Sequence, residues 1–335
     1  MLITIIQKLR TQKPINSPCV HLFTKSQTKR KGILTKELPV VFNTLTVIGV
    51  GLIGSSVLRR ARLGYGLARR LLAVDSNPDV CQRVHELQIA DEVMTDAISA
   101  AQQSDCVMVC VPVGRIGSVA EKILPVMRTG SILTDVGSTK VSVIEAIRPV
   151  LERIVTPNIA YVPAHPMAGT EFSGPDAGLA MLFENRWCLL TPLEHTSFEA
   201  IEMIRVFWQR CGAHVRHMTP EHHDRVCAIV SHLPHLLAFT ICGTADDLAE
   251  ETRSEVLDFA ASGFRDFTRI AASDPIMWRD IFLANKKALL EMFDRFMDSA
   301  ETMAKAIEEE NTAYIVDRIQ RGREIRKRLI ENQQA

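Results

Sequence analysis

No charge of one sign prevails in this chain of 335 residues: Lys plus Arg and Asp plus Glu number 39 each. That balance leaves no net field to gather nucleic acid, and no nucleic-acid partner is expected. No uninterrupted apolar run reaches the roughly 18 residues a membrane span needs, so no membrane partner is expected either. Cysteine is present but unpatterned: eight residues, with no C-x-x-C pair and no regular spacing, which gives no sign of a disulfide framework. Cys106 and Cys110 fall in an apolar strand and Cys242 in an apolar helix. They read as buried thiols of a reducing cytosol, and a cytoplasmic location is expected. What is present, 47% apolar and 23% charged residues over a length sufficient for two cores, is the make-up of a globular protein.

Residues 1–43 differ from the rest. Eight Lys or Arg between Lys8 and Lys36 face a single acid, Glu37, and no sustained periodicity is present. A disordered basic tail is the favoured reading; a transit peptide and an upstream start codon are the alternatives.

The segment Thr46 to Ser55, T-V-I-G-V-G-L-I-G-S, places Gly49, Gly51 and Gly54 in a G-x-G-x-x-G array directly after an apolar strand, with Leu52 and Ile53 opening the next helix. Such a turn lets backbone approach a pyrophosphate, whose charge then lies at a helix N-terminus. A second apolar run, Leu71 to Val74, ends in Asp75, at the distance of about 20 residues where an acid accepts hydrogen bonds from ribose hydroxyls. The pair predicts a dinucleotide site and favours NAD over NADP, with Arg59 and Arg60 nearby on the other side of the balance.

Strands are expected at 44–50, 70–75, 92–95, 105–111, 131–135 and 159–164, with helices between them at 52–63, 77–88, 96–102, 114–128 and 139–153. This alternation predicts an α/β class with a doubly wound, mostly parallel sheet. Ligands bind beyond the carboxyl ends of such strands, so Val111-Pro112, Gly137-Ser138 and His165-Pro166 should converge on one crevice. Near Thr191-Pro192 the texture changes. From Ser197 onward strand signals vanish, and amphipathic stretches run over 197–212, 219–246, 247–271, 273–310 and 312–331. The expected organisation is a leader (1–43), a nucleotide-binding domain (44–192) and a helical substrate and dimerisation domain (193–331). The apolar surplus of the helices predicts a homodimer.

His165, at a strand end between Pro163 and Pro166, is the candidate base, because an imidazole can accept a hydroxyl proton as hydride leaves carbon. Ser138, in D-V-G-S-T-K, either caps the next helix or orients His165 and touches substrate; the two roles are compatible. His222, His223 and Asp224, with S-H-L-P-H at 231–235, carry histidines but no H-E-x-x-H or cysteine set, so no metal is expected. Arg265 and Arg269 are spaced to lie one above the other on a helix, with Asp266 able to brace a guanidinium. Amid Phe264, Phe267, Ile270 and Trp278, an arginine needs an anion, and its planar fork suits a carboxylate.

Together these segments resemble one family, the prephenate and arogenate dehydrogenases of tyrosine biosynthesis. The resemblance rests on V-I-G-V-G-L-I-G-S-S (47–56), C-V-P-V (110–113), D-V-G-S-T-K (135–140), H-P-M-A-G-T-E (165–171), S-H-L-P-H (231–235) and G-F-R-D-F-T-R-I-A-x-S-D-P-x-M-W (263–278). It implies NAD-dependent oxidative decarboxylation and a helical domain that dimerises. It further implies His165 as hydrogen acceptor with Ser138 beside it, Val111 and Pro112 at the cofactor, and Arg269 on a substrate carboxylate. Thr170, Ser231, His232 and His235 would line the pocket, with Asp266 and Trp278 shaping it. Where the family often has a glycine pair, this chain has Ser262-Gly263. Two rival readings are a β-hydroxyacid or imine reductase, for which Lys286 or Lys287 would be the proton donor, and an NAD-sensing regulator without turnover.

Overall fold

The computed structural model describes residues 39–154, 158–170, 172–247 and 259–331. The basic leader, Glu171 of the 165–171 motif and most of the first half of the helix predicted over 247–271 lie outside the described residues.

Eight strands form one sheet: β1 (Phe42–Ile48), β2 (Ala68–Val74), β3 (Glu92–Met94), β4 (Cys106–Val109), β5 (Ile132–Asp135), β6 (Ala160–Pro166), β7 (Trp187–Leu190) and β8 (His214–His217). Their order is β3-β2-β1-β4-β5-β6-β7-β8. The first six run parallel; β7 is antiparallel to β6, and β8 is parallel to β7. Ile48, Val109, Asp135 and Pro163 occupy one row across β1, β4, β5 and β6. The residues that follow that row therefore leave the sheet at the same edge.

Five helices connect the parallel strands: α1 (Leu52–Arg62), α2 (Pro78–Leu87), α3 (Ala97–Ala101), α4 (Val113–Ile123) and α5 (Val141–Arg153). Side chains alternate across a strand. Accordingly β1 sends Leu45 and Val47 into one core with Met108, Val162 and Trp208, and Ile48 into the other with Val107, Val109, Ile116 and Ile144. Four consecutive buried residues in β4 suit a strand covered on both faces.

Two strands escape the sequence pattern, and one of them corrects the expectation that strands end before Ser197. β7 lies just ahead of Thr191-Pro192, and β8 follows α6 (Phe198–Arg210). β8, H-V-R-H, has an exposed, polar edge. Its strand character comes from pairing with β7 rather than from its own composition. Through Phe207 and Trp208, α6 joins the core of the first sheet face.

The remaining helices are α7 (Pro220–Cys227), α8 (Leu233–Asp246), α9 (Ser262–Thr268), α10 (Pro275–Ala284), α11 (Lys286–Glu308) and α12 (Thr312–Glu331). Thr219 caps α7 by accepting from His222 N, and Asp274 caps α10 by accepting from Met277 N, each followed by Pro at the first helical position. A π-helical turn, Ala228–His232, joins α7 to α8. The resulting rod, Pro220–Asp246, is long and apolar enough to cross a membrane by length and composition, although polar residues interrupt it. The polar Ser231, His232 and His235 lie within it. The single helix predicted over 273–310 breaks at Asn285, whose side chain is buried and donates to Asp224 O at 2.8 Å.

Candidate active site

The glycine turn follows β1 as predicted. Gly49 has φ +92, and a β-carbon there would meet the Cys110 carbonyl group at 2.8 Å, so only glycine fits. A β-carbon on Gly51 would meet nothing within 4 Å. The backbone is thus bare on the side where a pyrophosphate approaches. Gly51 caps α1 without any side-chain bond, and no acid occupies the first turn, which leaves the helix amides to an anion. Asp75 follows β2, and its carboxylate accepts from Val50 N at 2.9 Å and Asn77 N at 3.0 Å. This cradle fits a dinucleotide. Arg60 is turned away, paired with Glu184 at 3.0 Å and stacked on Tyr65. Arg59 donates to the Pro175 carbonyl.

Beyond β5 and β6 lies a buried polar knot. Lys140 is fully buried, and its Nζ donates to Asp135 Oδ1 and to the Ala164 carbonyl, both at 2.6 Å. Tyr161 Oη donates to the other Asp135 oxygen at 2.8 Å, and Gly137 N donates to Oδ1 at 2.8 Å. Every charge in the knot is thereby answered, as burial demands. Since Ala164 precedes His165, the lysine fixes the strand end that presents the imidazole.

His165 is partly buried, and its Nδ1 lies 2.8 Å from His223 Nε2. His223 Nδ1 in turn meets Asp224 Oδ1 at 2.8 Å. A carboxylate only accepts, so His223 carries its proton on Nδ1 and accepts on Nε2. His165 therefore donates from Nδ1 and keeps its lone pair on Nε2, the atom that can take a proton. Burial, then the neighbouring His223, Lys140 and His232, holds the His165 pKa well below the ordinary imidazole value. Burial lowers His223 as well, against the pull of Asp224.

The sequence offered His223 and Asp224 as part of a His-His-Asp run, with metal ligation set aside, and gave no hint of this relay. Its only local signal is an acid beside a histidine in the first turns of a helix. Asp224 does more: its carboxylate accepts from Lys140 N at 2.7 Å and Val141 N at 3.0 Å, capping α5 from another helix. The capping role weighed for Ser138 is thus filled by Asp224. The helix begins only at Val141, and Ser138 occupies the bend before it, part-buried and without a side-chain hydrogen bond among the described residues.

Val111 and Pro112 follow β4 at the shared edge, and Gly114 packs so closely on α10 that a β-carbon would meet Asp280 Oδ2 at 2.7 Å. From the helical side, His232 is buried and accepts from Asn285 Nδ2 at 3.0 Å. Burial brings its pKa down to about 4. His235 donates to the Ser231 carbonyl at 2.9 Å and stacks on Trp278 at 3.7 Å between ring centres. Burial, and after it Arg269, depresses its pKa, with the Ser231 bond opposing. Trp278 is buried with its indole N–H unpaired, a donor available to a ligand. Arg269 follows α9, and it is exposed in the single chain, as are Asp266 and Thr170. A separate cavity of about 910 Å³ lies at the amino ends of β5 and β6, lined by Ile132, Arg148, Ala160, Tyr161 and His195, and contains neither the glycine turn nor His165, His223, His232, His235 or Arg269.

Residues 59–217 match the family model described as prephenate dehydrogenase, nucleotide-binding domain, and residues 219–321 match prephenate dehydrogenase, dimerization domain. A cyclohexadienyl dehydrogenase of Zymomonas mobilis is 37% identical over 289 residues, 86% of this chain and 97% of that protein. The chain belongs to the prephenate dehydrogenase family. A Bacillus subtilis prephenate dehydrogenase is 32% identical, over 80% of this chain and 71% of its own length. Among solved structures, the A. aeolicus prephenate dehydrogenase in complex with hydroxyphenyl propionate and NAD+ superposes with a TM-score of 0.79 at 31% identity, over 86% of this chain and 98% of that one. Like other members of the prephenate dehydrogenase family, this chain is an oxidoreductase that uses NAD.

Proposed function

We propose that this chain carries out the oxidative decarboxylation of prephenate, or of its amino counterpart arogenate, giving 4-hydroxyphenylpyruvate or tyrosine. The observation that carries the reading is the Asp224–His223–His165 relay, which leaves the lone pair of the base on Nε2 near the end of β6, at the sheet edge from which the glycine turn also leaves β1. Bound NAD+ supplies the hydride acceptor. Gly49, Gly51, Leu52, Ile53 and Gly54 would hold its pyrophosphate, Asp75 its ribose, and Val111 and Pro112 its nicotinamide end.

The protein's own work is positional and acid–base. His165 Nε2 takes the proton of the ring hydroxyl as carbonyl character develops at C4. The depressed pKa keeps the imidazole neutral, and so able to accept, at neutral pH. Ser138, part-buried on the same edge, would place its hydroxyl toward the substrate or His165. Arg269 would clamp a carboxylate with two parallel hydrogen bonds. Thr170, Ser231, His232 and His235 would wall the pocket, with Asp266 and Trp278 shaping it. Loss of the ring carboxylate as CO₂ leaves an aromatic ring, so the conversion runs one way.

Residues 193–331 would carry the substrate contacts and the subunit contacts. Exposed Ile229, Val230, Leu283, Leu290, Ile307 and Ile319 lie on helices of this half. A second copy of the chain would cover such a surface. The seven cysteines among the described residues are unpaired, which suits a reducing, cytoplasmic setting.

Assaying prephenate and arogenate, each with NAD+ and NADP+, by the absorbance of the reduced nicotinamide tests the reading. Turnover with NAD+ and at least one of the two substrates is expected. No turnover with either would overturn it.

A further inference from the structure

His165 Nδ1, His223 Nε2 and Cys227 Sγ converge on one point. The nitrogens are 2.8 Å apart, and the sulfur lies 3.5 Å from His223 Nε2 and 3.7 Å from His165 Nδ1. His223 and Cys227 are one turn apart on the same face of α7, and His165 reaches them from β6. We infer that these three atoms form a site for a thiophilic divalent cation of the zinc class, and that filling it switches off the base.

Three features support the site. With metal–nitrogen bonds near 2.0 Å and metal–sulfur bonds near 2.3 Å, the edges of a zinc tetrahedron are roughly 3.3–3.6 Å. Both sulfur–nitrogen edges are already of that size, and the imidazoles need to part by only about 0.5 Å. The second feature is the Asp224 carboxylate on His223 Nδ1, which leaves the Nε2 lone pair directed at the other two atoms. A carboxylate behind a ligating imidazole is the usual support of a bound zinc. The third is ligand chemistry: one thiolate and two imidazoles select zinc-like ions over Mg²⁺ or Ca²⁺. The three groups form the one cluster of potential ligands of this kind among the described residues.

Occupation follows a balanced exchange with no change of oxidation state. The S–H bond of Cys227 breaks, the sulfur–metal bond forms, and the thiol proton goes to solvent. His165 moves its proton from Nδ1 to Nε2 as Nδ1 binds the metal. With a proton on Nε2, the imidazole has no lone pair for a substrate hydroxyl. The site stands on this cluster alone, and the switch rests on the proposed role of His165 as the base.

The test uses the full chain and Co²⁺ as a coloured stand-in for zinc. A near-ultraviolet cobalt–thiolate charge-transfer band is expected, saturating at one ion per chain, displaced by Zn²⁺ and unaffected by Mg²⁺. Cys227→Ser should abolish the band and weaken Co²⁺ binding by about tenfold or more. No band in the unsubstituted chain overturns the site without recourse to any variant, and a band of unchanged strength in Cys227→Ser places the metal on another thiol. Saturating Zn²⁺ should lower turnover at least about tenfold, with recovery on adding a chelator. Tight Zn²⁺ binding with undiminished turnover would overturn the switch. Absence of turnover on every substrate would leave the spectroscopic result intact and tell instead against the reaction proposed above.

Discussion

The sheet half and the helical half of this molecule are finished to different degrees. In the sheet half the core is closed on both faces, and the ion pair buried at its centre is fully answered: Lys140 and Asp135 reach each other, Tyr161, Gly137 and the Ala164 carbonyl. In the helical half Leu283 is 66% exposed and Val316 64%, and Arg269 is exposed as well. A region that answers its own buried ion pair and closes its apolar core can hold a reacting atom in place. One that leaves apolar faces open depends on something added, a substrate or another subunit. The base resides in the first region and is tuned from the second.

If that division holds, the largest effect comes from the base itself. His165→Asn should lower kcat by about 10²–10⁴ with little change in KM, the usual worth of general-base catalysis. Turnover close to the unsubstituted level would take His165 out of the mechanism. The sheet half's self-sufficiency is broken most directly at Lys140. Lys140→Met strands Asp135 in the interior and should cost about 3–5 kcal/mol of stability in denaturant unfolding. A loss below about 1 kcal/mol would show that the knot is not closed.

Arg269→Lys sharpens the comparison from the other side. The charge stays but the fork is lost, so KM for the carboxylate substrate should rise about tenfold, on the order of 1.5 kcal/mol, while KM for NAD+ holds. A joint rise in both would make Arg269 an organiser of the region between the halves. The smallest effect is on pH dependence. His165, His223, His232 and His235 all have folded pKa values below the ordinary 6.5. Between 6.5 and the folded values the unfolded chain binds more protons, so stability rises with pH there and falls on acidification, down to about 4 for His232. The acid limb of kcat/KM should likewise fall below 6.5, because the neutral imidazole is the active form. A limb above 6.5 would mean that protonated His165 is stabilised, against the geometry of the relay.

Much of the sheet half was legible because its signals are local. Gly49 and Asp75 are tied to a strand end and a turn, and the apolar period of β1 to β6 is visible in order along the chain. β8 was not, since H-V-R-H at an exposed edge owes its form to the partner strand. His165 could be named from its place after a strand. His223 and Asp224 could not be joined to it, because the contact spans 58 residues and exists only once α7 lies across β6. Arg269 was read as lying in apolar surroundings from its sequence neighbours, one of which, Phe267, is itself exposed in the single chain. Whether such a face is covered depends on what packs against it, which neighbours in sequence do not record.

The π-helical turn at Ala228–His232 has a consequence for how this stretch can change over generations. A turn of that kind takes one residue more than an α-helical turn, which sets the angular phase of everything after it. His223 and Cys227 lie before the offset; His232 closes it and His235 comes after it. Replacing a side chain in between leaves that phase alone. Removing one residue would rotate the later histidines by about 100° about the helix axis relative to the earlier pair, and no choice of side chains would bring both sets back to one place. The segment should therefore accept many substitutions and almost no change of length, a rhythm held more strictly than the notes that carry it.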